Sequence, residues 1–155
     1  MTNLEYMQGL PKKRMGSGVL IRNAAGEALI VVPTYKPSLE IPGGIVEALE
    51  SPKTCTTRET FEELGLELII GRLLVVDHHL LETDEALLFV FDGGVLSQSQ
   101  IEQIKLPEAE LSSFRFVPRA ELPKILTERM ARRLENAFVA LETNQTLYLE
   151  RGYKT

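Results

Sequence analysis

Apolar and polar positions change their rhythm several times along the chain, and each change marks an element. Residues 1–14 are polar and end in Lys12-Lys13-Arg14, which predicts a lead-in with frayed ends. Two short runs rich in Val, Ile and Leu follow at 18–22 and 28–32. Asn23-Ala24-Ala25-Gly26 between them has turn chemistry, so the pair predicts a hairpin. A loop through Pro33, Pro37 and Pro42 leads to Ser51-Pro52, an N-cap residue with proline at the first helical position. That helix is expected to run to Leu64 and to stop at Gly65. Residues 66–81 predict one or two strands, with a bulge or bend at Gly71. Residues 87–91 form a continuous apolar run, as expected for a strand buried on both faces, closed by a turn or bulge at Asp92-Gly93-Gly94. Residues 97–111 predict a polar loop, and Phe114-Arg115-Phe116-Val117 alternates like another strand. The last third reads as helical. Leu126, Met130, Leu134, Phe138 and Leu141 make one apolar stripe, with Arg129, Arg132 and Arg133 assigned to its solvated face. Strands, helix, strands, helix is the order of an α/β fold with a mixed sheet packed between helices.

Composition narrows the function. A chain of 155 residues has the length of a single domain, expected here over 1–155. With 44% hydrophobic and 25% charged residues it is too apolar to be disordered. No apolar window approaches the ~20 residues that a membrane span needs, so no membrane partner is expected. The net charge of -5 leaves no overall positive field for a nucleic-acid polymer. An acidic protein still handles an anionic small molecule if a divalent cation bridges the two. Cys55 is the only cysteine, which excludes an intrachain disulfide and a Cys-rich metal site. The N-terminus lacks the basic-then-apolar pattern of a signal peptide, and a cytoplasmic location is the expectation.

The chemistry concentrates in 43–66. At about 100° per residue, Glu59, Glu62 and Glu63 share one face of the predicted helix. Like charges at this spacing destabilise a helix mildly, so helix stability does not ask for them. A hard divalent cation such as Mg²⁺ or Mn²⁺ removes the conflict, because it prefers oxygen ligands and keeps room for waters and phosphates. Arg58 is placed to hold a carboxylate such as Glu50 by a bidentate pair. An isolated E-x-x-E-E most often marks a solvated acidic face. Here a Gly-Gly turn, a spaced Glu and an Arg-Glu pair precede the cluster.

Segment 44–66 resembles the Nudix box, G-x5-E-x7-R-E-U-x-E-E-x-G-U with U a bulky aliphatic residue. Gly44, Glu50, Arg58, Glu59, Glu62, Glu63, Gly65 and Leu66 match in register. Thr60 stands where the family has an aliphatic residue, and Leu49 replaces the glycine common before the spaced Glu. Thr60 is expected to face the sheet and to bond back to a carbonyl of the preceding turn. The resemblance extends over about 15–141, with 15–33 as the first hairpin, 38–42 as the strand entering the box and 106–122 around the penultimate strand. It implies a Nudix-type α/β/α sandwich and hydrolysis of a diphosphate linkage in a nucleoside diphosphate derivative. It also implies Mg²⁺, with Mn²⁺ as substitute, held by Glu62 and Glu63. Glu59 would be a further ligand or the general base, and the Gly44 carbonyl another ligand. Glu50 and Arg58 would hold the box in shape.

Many family members add an acid from a later loop. Glu110 is the first choice here, for metal or substrate, then Glu108, with Glu85 and Asp92 behind them. Tyr35 and Lys36, on the loop leading into the box, are candidates for stacking a base and touching phosphate. His78 and His79 point to opposite sides of a strand, so one of them is a candidate phosphate contact. Cys55 is expected to be small packing and not a nucleophile. Gly16-Ser17-Gly18 precedes a strand and is no dinucleotide fingerprint. The alternative is a catalytically inactive Nudix-fold module that binds a nucleotide and regulates something else. Dimerisation is common in the family, which leaves a homodimer open.

Overall fold

The computed structural model describes residues 1–155. Its frame starts from a hairpin, β1 (Arg14–Arg22) and β2 (Ala28–Pro33). Asn23 closes the turn: its Oδ1 accepts the backbone N–H groups of Ala25 and Glu27 at 3.1 and 2.9 Å. β3 (Gly43–Ile45) follows, then α2 (Pro52–Leu64), with α1 (Asn3–Gly9) preceding the hairpin. β4 (Leu73–Leu80) and β5 (Glu85–Val95) form a second hairpin. The rest comprises α3 (Gln98–Glu102), β6 (Leu111–Val117), α4 (Leu122–Ile125), α5 (Glu128–Thr143), β7 (Leu147–Glu150) and β8 (Tyr153–Lys154).

All eight strands join one mixed sheet, in the order β6-β2-β1-β5-β4-β7-β8 with β3 also on β1. β1 runs parallel to β5 along one edge and divides the other. Its residues Gly16, Ser17 and Gly18 pair with Ile45, Gly44 and Gly43 of β3, while Arg22 pairs with Ala28 of β2. This division presents the short β3 beside α2.

Alternation along the strands separates two apolar layers. Val19, Ile21, Leu29 and Val31 face the side of α2 with Leu64, Leu66 and Ile70. Leu20, Ala28, Ile30 and Leu74 face the other side, against Leu134, Ala137 and Phe138 of α5. Leu20, Ile21, Leu29 and Ile30 are fully buried, each contributing about 1.5–3 kcal/mol relative to exposure. The expected α/β/α sandwich with a mixed sheet is therefore the observed one.

Several expectations need correction. The lead-in holds α1, closed by a capping box in which Thr2 Oγ1 accepts from Glu5 N and Glu5 accepts from Thr2 N at 2.7 Å. Residues 66–72 are not strand: Leu66 and Ile70 tuck beneath the sheet, and β4 starts only at Leu73. The 87–91 strand is half-buried at Leu87, Leu88 and Phe89. Asp92-Gly93-Gly94 lies within β5 as a bulge, where the register to β1 shifts. The 97–111 loop contains α3, capped by Ser97. Leu126 caps α4 and is outside α5, and the C-terminal end adds strands β7 and β8.

Arg133 is not solvated. It lies on the inner face of α5, one turn before the buried Ala137, and its Nε donates to Asp77 of β4 at 2.8 Å. The other oxygen of Asp77 accepts the backbone N–H of Gly152 at 2.9 Å, which joins α5, β4 and the β7–β8 turn. Breaking a buried pair leaves an uncompensated charge and here an unpaired N–H as well. Asp77→Ala is expected to cost about 3–5 kcal/mol in urea unfolding, and a loss within error of zero would show that this junction is not structural.

Candidate active site

α2 is held to the sheet mainly by polar contacts. Only Cys55, Thr56, Thr60 and Leu64 of it are buried. Ser51 caps its start and Gly65, in the left-handed conformation, its end. Thr56 Oγ1 and Ser17 Oγ of β1 share a buried hydrogen bond of 2.6 Å. Thr60, where an aliphatic residue was expected, donates its hydroxyl to the Thr56 carbonyl at 2.7 Å and so enters the interior satisfied.

Across from α2, β3 approaches closely. A Cβ on Gly43 would lie 2.4 Å from the Ser17 carbonyl oxygen, so only glycine fits. Gly43 N–H donates to Glu63 Oε2 at 3.0 Å. A Cβ on Gly44 would fall 2.4 Å from Glu59 Oε1, in the space the carboxylate occupies. Glu59 and Glu63 are thereby pressed against the backbone of β3, while Glu62, on the same helix face, is half exposed.

One guanidinium serves the surrounding carboxylates. Arg58 makes a bidentate pair with Glu50, Nε to Oε2 at 2.8 Å and Nη2 to Oε1 at 2.9 Å. Its Nη1 donates to Glu59 at 2.8 Å and to Glu62 at 3.2 Å. The hydrogen bond from Arg58 brings Glu50 down to about 2, and the same bond raises Arg58. Burial raises Glu59 against the pull of Arg58. Burial pushes Glu63 up to about 8 despite the Gly43 N–H, with the charges of Glu59, Glu40 and Glu110 adding to the push.

The site thus brings together Glu50, Arg58, Glu59, Glu62, Glu63 and Gly44, and draws Glu110 near. Glu110 arrives because its carbonyl accepts from Thr34 N at 2.9 Å. As the side chains stand, no three His, Cys, Asp or Glu residues are gathered closely enough to cage an ion: Glu59 and Glu62 share Arg58 Nη1, and Glu63 accepts from Gly43 N–H. The other acid candidates lie elsewhere. Glu85 pairs with Lys13 at 2.5 Å and His78 at 2.9 Å, and Asp92 with Arg22 at 3.0 Å. Glu108 is exposed.

Tyr35 and Lys36 line a cavity of about 300 Å³ with Gly43, Gly44 and Ile45. Lys36 is ion-paired with Glu40 and sits 5.5 Å over the Tyr35 ring. Sequence reasoning misses Glu40: no motif marks it, and it reaches Glu63 because its backbone pairs with Val31 of β2. His79 lines a second, adjoining cavity, whereas His78 turns to Glu85. Burial raises the Cys55 thiol to about 12, so it is no nucleophile at neutral pH.

A model of the NUDIX domain matches residues 12–137, so the chain belongs to the Nudix hydrolase family. Over 108 residues, 69% of this chain, it is 29% identical to the putative hydrolase 111R of Invertebrate iridescent virus 3. The match spans 60% of that relative's length. Among solved structures, the MutT protein of Methanosarcina mazei Go1 is 23% identical and superposes with a TM-score of 0.70, over 89% of this chain and 100% of its own. A UDP-X diphosphatase is 21% identical, with a TM-score of 0.75 over 96% of this chain and 75% of its own. An ADP-ribose pyrophosphatase of Streptococcus suis 89-1591 is 16% identical, with a TM-score of 0.66 over 90% and 99%. At these identities the likeness is one of fold.

Leu49 stands fully exposed with φ 63°, a left-handed conformation at the position where glycine is common in the family. Leu49→Gly is expected to raise stability by about 1 kcal/mol by relieving that strain; a lower melting temperature would show that the loop is unstrained.

Glu63 carries a pH dependence. In the unfolded chain it ionises near 4.5, and in the fold near 8. Between those values the folded state keeps a proton that the unfolded chain has lost. Stability of the metal-free protein therefore falls as pH rises from about 4.5 to about 8 and levels off above. Thermal melts in EDTA should show that slope, and Glu63→Gln should flatten it; an unchanged slope in the variant would place its origin elsewhere.

Proposed function

We propose that this chain hydrolyses the diphosphate linkage of a nucleoside diphosphate derivative with a divalent ion, Mg²⁺ or in its place Mn²⁺. The observation that carries this reading is the placement of Glu59 and Glu63 against β3, with Gly44 lacking the Cβ that would displace Glu59 and Glu62 joined to Glu59 through Arg58. The donor set is all hard oxygen, which suits these ions. Glu59, Glu62, Glu63, the Gly44 carbonyl and Glu110 would hold the ion, and Arg58 would release Glu59 and Glu62 toward it. When bound, the ion neutralises phosphoryl oxygens and lowers the pKa of a coordinated water.

The chain's own residues supply the rest. Arg58 and Glu50 keep the turn before α2 in shape. Glu59, against Gly44 of β3, would be a further ligand or else the general base that takes the proton of the attacking water. The water oxygen bonds to one phosphorus, the bridging P–O bond breaks, and the leaving phosphate departs with the electron pair. Lys36 lies in the cavity beside Gly44, where its charge would offset that of a phosphate, and Tyr35 offers a ring to a base. The names of two structural neighbours, a UDP-X diphosphatase and an ADP-ribose pyrophosphatase, support a nucleoside diphosphate derivative. No helix is long and apolar enough to cross a membrane.

A panel of nucleoside diphosphate derivatives incubated with Mg²⁺, Mn²⁺ or EDTA tests the reading. Metal-dependent release of a nucleoside monophosphate is expected, with Glu62→Gln and Glu63→Gln each lowering turnover by about 10²-fold or more. Tight binding of panel members with no turnover would favour the binding-module reading.

A further inference from the structure

The arginines at the start of α5 have different surroundings. Arg132 is engaged: it donates to the Arg151 carbonyl at 3.0 Å and lies 4.2 Å over the Tyr153 ring. Arg133 has a side chain only 7% exposed. Its Nε goes to Asp77 and its Nη1 to the Met130 sulfur at 3.7 Å, while its Nη2 has no partner in the protein. Arg129, one turn earlier, makes neither a hydrogen bond nor an ion pair through its side chain.

Arg129 and Arg133 both line a cavity of about 700 Å³, together with His79, whose buried Nδ1 also lacks a partner. Burial, then the charges of Arg133 and Arg129, hold His79 below its ordinary range, which places both cations close to the imidazole. The acids of this wall are used otherwise. Glu40 is paired with Lys36, and Glu128 is 94% exposed and 3.7 Å from Arg132. Two like charges at i and i+4 destabilise a helix, and a cation in the first turn opposes its dipole. The fold therefore gives no account of the Arg129 charge. An anion in the cavity would satisfy Arg129 and the free Nη2 of Arg133 together.

This cavity is continuous with the one beside Gly44: Lys36, Glu40, Leu88, Met130 and Arg133 line both. Its apolar residues are aliphatic or Met, and the His79 imidazole is its one ring. We propose that it holds a phosphomonoester carried by the substrate beyond the scissile diphosphate, with Arg129 and Arg133 as its partners. A phosphomonoester brings a charge near -2 and three acceptor oxygens, which matches two guanidinium groups. The inference rests on the hydrolase reading above and narrows its substrate class to diphosphates bearing an additional phosphate.

Two matched pairs test it, NADP⁺ with NAD⁺ and coenzyme A with dephospho-coenzyme A, since each differs only by a ribose phosphate. Dissociation constants are measured by calorimetry in EDTA, and kcat/KM with Mg²⁺. The phosphorylated member of at least one pair is expected to bind about tenfold tighter or more. Arg129→Gln, at a half-exposed side chain without contacts, should reduce that preference below about threefold, while the exposed Arg115→Gln on β6 keeps it. No preference in either pair, or a preference that survives Arg129→Gln, overturns the proposal. Equal turnover within both pairs overturns it too and leaves the hydrolase reading standing. Arg129-dependent binding with no turnover of any member upholds the cavity and overturns hydrolysis.

Discussion

Arg58 is the one cation that lets a crowd of carboxylates exist on a folded surface. Glu50, Glu59 and Glu62 all bond to it, and Glu63 next to them has only a backbone N–H. Without that guanidinium, the mutual repulsion of Glu59, Glu62 and Glu63 would act on a helix with little apolar surface to hold it. Burial, and after it the charges of Glu59, Glu40 and Glu110, raise Glu63 despite its N–H partner.

The geometry that aims this potential comes from the sheet. Because β1 gives its outer edge to β3 over Gly16–Gly18 and to β2 only at Arg22, the short β3 stands beside α2. Gly43 can approach β1 only because it has no side chain, and Gly44 leaves room for Glu59 for the same reason. The backbone carbonyls and N–H groups of β3 are thus brought to the carboxylates by strand pairing and not by any loop closure.

On the other face of the sheet, α5 lines the cavities that extend from β3. The buried Arg133–Asp77 pair fixes that helix to β4 and to Gly152, and leaves part of the guanidinium turned to the cavity. One residue therefore serves packing and presents charge, an arrangement that costs less than burying a second cation outright. The glycines of β3 and the basic start of α5 line neighbouring cavities that share Lys36, Glu40 and Met130.

The helix of the box, its Ser51 cap, its Gly65 stop and the Arg58–Glu50 pair were legible in the sequence because they depend on spacing within 44–66, where local geometry leaves one solution. The first hairpin and the order of elements were legible for the same reason. Glu40 was not, since its place beside Glu63 follows from a pairing with Val31 across the proline-rich loop. β7 and β8 were missed because short edge strands carry little periodicity of their own and exist through partners such as Val75 and Asp77. Arg133 reads as solvated from its residue type, yet the helical period turns it inward, and Asp77, 56 residues away in sequence, makes its burial tolerable. The sequence by itself determined the helix of the box and the face on which Glu59, Glu62 and Glu63 stand; the tertiary structure alone decided which charges meet, because long-range pairing and burial are set by the packed sheet.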